Sequence, residues 1–426
     1  MNSTDTPGQP DADLSYPRGL IAGVSAYRLV RRAVAGTAPP VEDPLQRQVV
    51  EHADGPLLVV GGPGTGKTTT LVESVAARVA AGADPQSVLV LTFGRRGAMR
   101  LRDRLEARIA GGTGWAGSGA GGAGWAGSGA GGTGWAGSGA GGPSRTTAEP
   151  LVRTFHAYAF GLLRRAAAEL GDPAPRLLTG PEQDVILREL LSTDDDAVGW
   201  PESLRPALRT RAFAAQLRDL LLRAAERGIG APELADFGEG LRRPDWLAAA
   251  RFLREYEQVL ALREVTSRGS VAYDSAELVR AASALLTDDP ELLAAERHRL
   301  SFVYVDELAD TDPAQLDLLE LVAGGGSPLV AFADPDSSTY AFRGADPGGV
   351  WAFPDRFRTA DGLPAPTATL TRSYRADPEL LAATGRVARR LRGPARHRAM
   401  LATRPPAEDP QAVEVRVFRS VTSESA

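Results

Sequence analysis

The chain has 426 residues, 43% hydrophobic and 24% charged, with a formal net charge of −5 and no cysteine. That length accommodates two or three domains with a sizeable buried core. The composition excludes a disulfide framework and thiolate metal sites, and no stretch approaches the roughly 18 consecutive apolar residues of a membrane helix. The acidic balance does not exclude a nucleic-acid partner, because a local basic groove suffices to bind phosphates. His52, His156, His298 and His397 are too scattered to suggest a metal cluster. The opening Met1-Asn2-Ser3-Thr4-Asp5-Thr6 lacks the basic-then-apolar pattern of a secretion signal, so a cytoplasmic location and no membrane partner are expected.

Taken in chain order, residues 1–18 are polar and contain Pro and Gly, Gly19–Val34 carries mixed apolar and Arg residues, and Thr37–Pro44 reads as linker, so 1–40 is expected to be a disordered N-terminal tail. Leu57-Leu58-Val59-Val60 is a short apolar run ending in glycines, which predicts a buried strand running into a loop. Thr68 to Ala81 has helical spacing, with Leu71, Val72, Val75 and Val79 on one side, and Val88-Leu89-Val90-Leu91 is the next buried strand. Strand, helix, strand opens a parallel sheet. Residues 111–140 are three near-identical ten-residue units, each holding one Trp (Trp115, Trp125, Trp135). A fixed period is also the mark of a solenoid, but only the Trp could form a core and so much glycine is costly to order. The segment 111–142 therefore reads as a flexible insert.

From Pro181 to about Ala284 the sequence is Leu/Ala/Arg-rich with helical spacing and breaks near Gly228–Pro232 and Gly238–Pro244. A mostly helical inserted subdomain is expected over 166–289. Ser301-Phe302-Val303-Tyr304-Val305 and Pro328-Leu329-Val330-Ala331-Phe332 are again strands, and Val413 to Phe418 alternates as a strand should.

Gly61-Gly62-Pro63-Gly64-Thr65-Gly66-Lys67-Thr68 fits the phosphate-loop pattern and lies between a predicted strand and a helix start, where such a loop needs to be. Its glycines let backbone N–H groups converge on phosphate oxygens at a helix N-terminus. Lys67 is placed to reach the β- and γ-phosphates of a nucleotide, and the Thr68 hydroxyl to hold Mg²⁺. Lys67 is also the only lysine of the chain; a compact ammonium on a flexible stem suits this position better than a planar guanidinium. A second acidic motif, Asp306-Glu307, follows an apolar strand. Asp306 is placed to hold Mg²⁺ and Glu307 to position or deprotonate an attacking water.

With those two motifs in place, the order of further segments resembles the UvrD/Rep/PcrA group of superfamily 1 DNA helicases, over roughly residues 45–426 apart from the glycine repeat. Gln46 resembles the family glutamine that reads the adenine edge. Leu91-Thr92-Phe93, followed by Ala98-Met99 and Arg104, resembles a segment that touches single-stranded DNA, as does Thr154-Phe155-His156. Asp306-Glu307-Leu308-Ala309-Asp310-Thr311 with Gln315 is similar to the family's acidic motif, and Asp334 through Ala345 is the most specific match. Ser373-Tyr374-Arg375 resembles the motif whose Tyr stacks on adenine and whose Arg reaches the γ-phosphate. The resemblance implies an α/β fold: a RecA-like P-loop NTPase parallel sheet from 41–165 and 290–370, the helical insertion, and the start of a second RecA-like domain at 371–426. It implies ATP and Mg²⁺ as cofactors, single-stranded or tailed DNA as partner, and 3′ to 5′ movement. Phe93, Tyr340 and Phe342 offer flat faces for stacking bases, which is tolerant of sequence, and Arg343 lies beside them in sequence.

This chain also departs from the family pattern. Ala309 and Ser337 stand where the family has glutamines, Gly94 where it has Asn, and Thr69 where it has Arg beside the phosphate loop. The loss of two amide groups at the γ-phosphate predicts slow or poorly coupled hydrolysis, and hence the weaker subunit of a two-motor helicase–nuclease. A nucleotide-binding, DNA-clamping subunit without turnover is the alternative. The family's later motifs belong to a second domain that has barely begun by residue 426, so the chain is expected to be an N-terminal part that does not unwind DNA alone.

Overall fold

The computed structural model describes residues 43–110, 150–193, 199–266 and 271–406. The tail expected at 1–40, the glycine repeat and the strand expected at Val413–Phe418 lie outside the described residues.

The chain first forms α1 (Pro44–Glu51), β1 (Pro56–Gly61), α2 (Lys67–Ala80), β2 (Val88–Thr92), α3 (Arg95–Ala110), β3 (Leu151–Thr154) and α4 (Phe155–Leu170). A mostly helical stretch follows, with β4 (Arg176–Leu177), α5 (Gly180–Thr193), α6 (Arg211–Glu226), α7 (Ala231–Gly240), α8 (Pro244–Thr266), β5 (Ala272–Tyr273), α9 (Ser275–Asp288) and α10 (Pro290–Arg299). The chain returns through β6 (Phe302–Val305), α11 (Pro313–Ala323), β7 (Leu329–Ala333), α12 (Gly348–Arg356) and β8 (Thr367–Leu370). Its last described elements are β9 (Arg372–Ser373), α13 (Pro378–Ala388) and β10 (Leu401–Ala402).

Six strands make one parallel sheet in the order β3-β2-β6-β7-β1-β8. Its central strands are continuous apolar runs because helices cover both faces and neither side of a strand meets water. The two-residue period of a strand divides these runs cleanly. Leu58, Val60, Leu89, Leu91, Val303 and Val305 pack against Phe155 of α4, Leu278 of α9 and Leu319 of α11. Leu57, Val59, Val88, Val90 and Tyr304 pack on the opposite face against Val49 of α1, Leu71 and Val75 of α2, and Leu105 of α3. This is the RecA-like α/β sheet that the sequence predicted. Two strands of the sheet escaped prediction, both at its edges: Leu151–Thr154 pairs with β2 and Thr367–Leu370 with β1, and their partly exposed patterns give no apolar run to find.

The helical stretch has a core of its own. Leu187 of α5, Leu217 and Leu221 of α6, Leu234 of α7, and Phe252 and Tyr256 of α8 are buried together. Its helix breaks fall at 227–230 and 241–243, where glycine and proline punctuate the sequence. Gly228 takes φ +70, and Pro232 and Pro244 sit in the first turns of α7 and α8, where a missing N–H costs nothing.

The order of the sheet matters for chemistry. The carboxyl ends of β1, β7 and β6 lie side by side, so the loops leaving them share one edge, the usual place for a ligand in an open parallel sheet.

Candidate functional site

The loop after β1 closes on itself before α2 begins. Thr65 Oγ1 donates to the Gly62 carbonyl (2.8 Å), and Gly64 and Gly66 take φ +78 and +86, which only glycine adopts without strain. Gly66 is the N-cap of α2 and no side chain caps it, so the first N–H groups of a fourteen-residue helix face the cleft. Lys67 Nζ donates to the carbonyls of Gly61 (2.7 Å) and Gly62 (3.0 Å) and stands 3.6 Å from Asp334 Oδ2, at the end of β7. Burial lowers the pKa of this ammonium, and Asp334 and Asp306 oppose that shift.

On the other side of Lys67, Thr68 Oγ1 donates to Asp306 Oδ2 at 3.3 Å. Two hard oxygen donors side by side suit a magnesium ion that keeps its remaining positions for water and phosphate. Burial raises the pKa of Asp306. Glu307 lies in the left-handed region at φ 59, an uncommon conformation for a side chain of this size. Its carboxylate reaches solvent, yet partial burial and repulsion from Asp306 and Asp310 push its pKa up to about 7. A carboxylate poised there can accept a proton near neutral pH.

Gln46, on α1, is buried and donates through Nε2 to the Thr65 carbonyl at 3.0 Å. Tyr374 closes the cleft from the other end: its N–H donates to the Gly64 carbonyl (2.9 Å) and its hydroxyl to Asp43 Oδ2 (2.9 Å). Burial and that carboxylate push the phenol up to about 12. A cleft of about 720 Å³ results, lined by Gln46, residues 64–69, Arg104, Tyr374, Arg375 and Arg404. The structure thus gathers the predicted nucleotide-binding residues into one place, with Pro63 exposed on the loop's outer bend.

Sequence reasoning missed several participants. Arg104 stands in the segment read as DNA-contacting, but the structure puts it in the cleft, where Nη2 donates to Thr69 Oγ1 at 3.0 Å. One turn further on, Arg108 pairs with Glu73. The matched spacing of four residues in both helices was the available signal. Asp43, Asp334 as partner of Lys67, and Arg404 left no comparable trace. Ala309 is buried under the acidic turn, and Ser337 Oγ donates to Asp334 Oδ2 at 2.6 Å, so neither offers an amide to the cleft.

The predicted DNA-contacting residues fall into two groups. Phe93 and Tyr340 meet as tilted rings with centroids 4.5 Å apart, Phe342 follows Tyr340 at 6.2 Å, and the Arg343 guanidinium lies over both tyrosine and phenylalanine at 5.9 and 5.5 Å. Phe342 is 69% exposed, so the row of rings opens to solvent. Thr154 is elsewhere engaged: its hydroxyl accepts from Ala157 N (3.2 Å) as the N-cap of α4. His156 follows it, and burial and the neighbouring Arg95 guanidinium hold its imidazole below the usual value. Among the described residues, no helix is long and apolar enough to cross a membrane.

A parallel sheet with a phosphate loop after β1 and an acidic pair after β6 defines a RecA-like P-loop NTPase fold. Within that class, the model of the UvrD/REP helicase N-terminal domain matches residues 43–358, and the chain belongs to this family. It is 28% identical over 361 residues to the ATP-dependent DNA helicase UvrD2 of Mycobacterium tuberculosis, covering 82% of this chain and 44% of that protein. It is 23% identical over 354 residues to the ATP-dependent DNA helicase PcrA of Staphylococcus aureus, covering 80% of this chain and 39% of that one. The chain thus spans less than half the length of these relatives.

Proposed function

We propose that this chain is the ATP-binding part of a UvrD-type DNA motor, with the triphosphate on the α2 N-terminus and single-stranded or tailed DNA on the Phe93–Tyr340–Phe342 face. The observation that supports this most is Lys67, held at the mouth of the loop between the carboxylates of Asp306 and Asp334. In this reading Gly61–Thr68 wraps the phosphates, and Lys67 and Arg375 neutralise the γ-phosphate. Thr68 and Asp306 hold Mg²⁺, and Gln46 and Tyr374 hold the adenine. Held there, magnesium would supply charge neutralisation to the triphosphate. Glu307 orients the attacking water and takes its proton. Thr154 and His156 belong to the DNA track only by family resemblance, as does 3′ to 5′ polarity.

By the same reading, 41–165 and 290–370 form the RecA-like motor domain, 166–289 the helical insertion, and 371 onward the opening of a second RecA-like domain. The named relatives are helicases of bacteria, so the reading takes DNA as the partner, places the protein in the cytoplasm, and leaves aside a helicase–nuclease subunit. With Ala309 and Ser337 offering no amide to the γ-phosphate, turnover is slow. Steady-state ATP hydrolysis with and without an oligo-dT strand tests this. A DNA-stimulated rate below about 1 per second, the low end of ordinary enzymes, is expected. Stimulated turnover of many per second overturns the slow-motor part, and absence of ATP-analogue binding with magnesium overturns the whole.

A further inference from the structure

The row of aromatic rings is fastened from two directions, and only one of them is the sheet. Tyr340 leans on Phe93, which leaves the end of β2. Beyond it, residues 341–343 form a single short turn whose side chains are all exposed, so the ring of Phe342 has no buried anchor of its own. Its backbone does. Arg223, in the last turn of α6, donates through Nη1 to the Phe342 carbonyl at 3.1 Å. The other arm of the same guanidinium pairs with Glu226 one turn on. Gly344 then presses its backbone against this pair: at φ +90 it carries no side chain, and a methyl group there would overlap Glu226 Oε2 and crowd Arg223 Nε at 3.1 Å.

We infer that Arg223, held by Glu226, is a positioning residue for the aromatic platform, so that the helical insertion sets where Phe342 meets a nucleic-acid base. The inference rests on the DNA-binding reading given above. Its physical basis is geometric. One planar fork serves two acceptors from two separate nitrogens, the Phe342 carbonyl from Nη1 and the Glu226 carboxylate from Nη2, a fixed geometry that an ammonium's one nitrogen does not reproduce. Glu226 is buried, with Oε2 unpartnered, and it makes no contact a nucleotide in the cleft would use. Its pKa is pushed up to about 7 by burial, with repulsion from Asp312, the N-cap of α11, adding to the effect and Arg223 opposing it. A carboxylate kept in so unfavourable a place alongside a matched arginine is consistent with a role in holding the loop.

The test uses the 426-residue chain and a fluorescent oligo-dT strand, with a fluorescent ATP analogue titrated in parallel. Phe342→Ala should weaken DNA binding about 10-fold, the worth of one stacked base. Arg223→Ala should weaken it by about 5- to 10-fold while leaving nucleotide affinity within about twofold. Because Arg223 acts through Phe342, the double variant should bind DNA no worse than Phe342→Ala alone. Arg223→Lys keeps the charge and most of the packing, and should fall between wild type and Arg223→Ala. Multiplicative losses in the double variant, or wild-type affinity in either Arg223 variant, overturn the inference. Should Arg223→Ala lower nucleotide affinity as well, Arg223→Lys decides, wild-type DNA affinity in it again being the refuting result. If the wild-type protein binds nucleotide but no DNA, the DNA-binding reading itself fails and takes the inference with it.

Discussion

The nucleotide cleft and the aromatic platform lie on one molecule and are built by opposite means. The cleft is made at strand ends, with Lys67 drawn down onto the carbonyls of Gly61 and Gly62 and the acids of β6 and β7 on either side. The platform is made of loop residues whose rings touch each other, with Phe93 and Tyr340 half-buried and Phe342 open to water. Under the proposed function, the difference follows from what each would hold. Charges act strongly only where water is partly excluded, so a phosphate cradle needs burial and rigid supports. Stacking on a moving strand needs an open face and tolerates exposure. If the two regions are separate devices, it should be possible to disable one and spare the other.

Lys67→Ala gives the largest expected effect. It removes the charged hydrogen-bond donor of the loop, and nucleotide affinity should fall about 100-fold, roughly 3 kcal/mol. Oligo-dT affinity measured without nucleotide should change less than about twofold, because no ring of the platform touches Lys67. Equal losses for both ligands would dissolve the distinction between the two regions. Glu307→Gln cuts more finely within the cleft. It should keep nucleotide affinity and lower turnover by about 100-fold, the lower range for removal of a general base. The wild-type rate should climb with pH through about 7, as the raised carboxyl of Glu307 loses its proton, and level off above. The variant should lack that climb. A wild-type profile flat from pH 6 to 8 would count against Glu307 as the base.

The same contrast explains what could be read in the sequence. The cleft was legible because its pieces are local: an apolar run, a glycine loop and a helix lie consecutively at 57–80, and an acidic pair ends another run at 305–307. The helical character of the stretch between β3 and β6 was legible from periodicity, and its breaks from Gly228 and Pro244. Phe93, Tyr340 and Phe342 were singled out through family likeness, since single aromatics in loops leave no periodic signature. What escaped was long-range pairing. Tyr374 with Asp43, Lys67 with Asp334, and Arg223 with Phe342 each join residues more than 100 positions apart, and nothing in the local sequence distinguishes these acids and arginines from ordinary surface charges. β8 was missed for a related reason: at the sheet edge it needs no apolar run, and its strand character comes from the register with β1.

The smallest effect concerns stability, and it bears on whether the cleft, unlike the platform, is strained for its chemistry. Glu307 sits at φ 59 with a carboxyl raised from 4.5 to about 7. A carboxyl whose folded value lies above its unfolded one binds its proton more tightly in the folded state. Its contribution to stability is therefore fully present below the unfolded value and is lost as pH rises through about 7. Glutamine carries no such proton, so Glu307→Gln should match wild type near pH 4.5 in urea unfolding and become the more stable protein by pH 8. Since the side chain reaches solvent, screening cuts the gain well below what the full shift implies, to about 1 kcal/mol or less. Other raised acids, Glu226 and Glu277 among them, tilt both proteins alike, so the difference between the two curves isolates position 307. A variant that loses turnover yet gains stability at alkaline pH would mark Glu307 as a residue kept for chemistry at a cost to the fold. A variant less stable at pH 8 would mean that its carboxylate serves structure, and the assignment of the water-activating base would have to move elsewhere in the cleft.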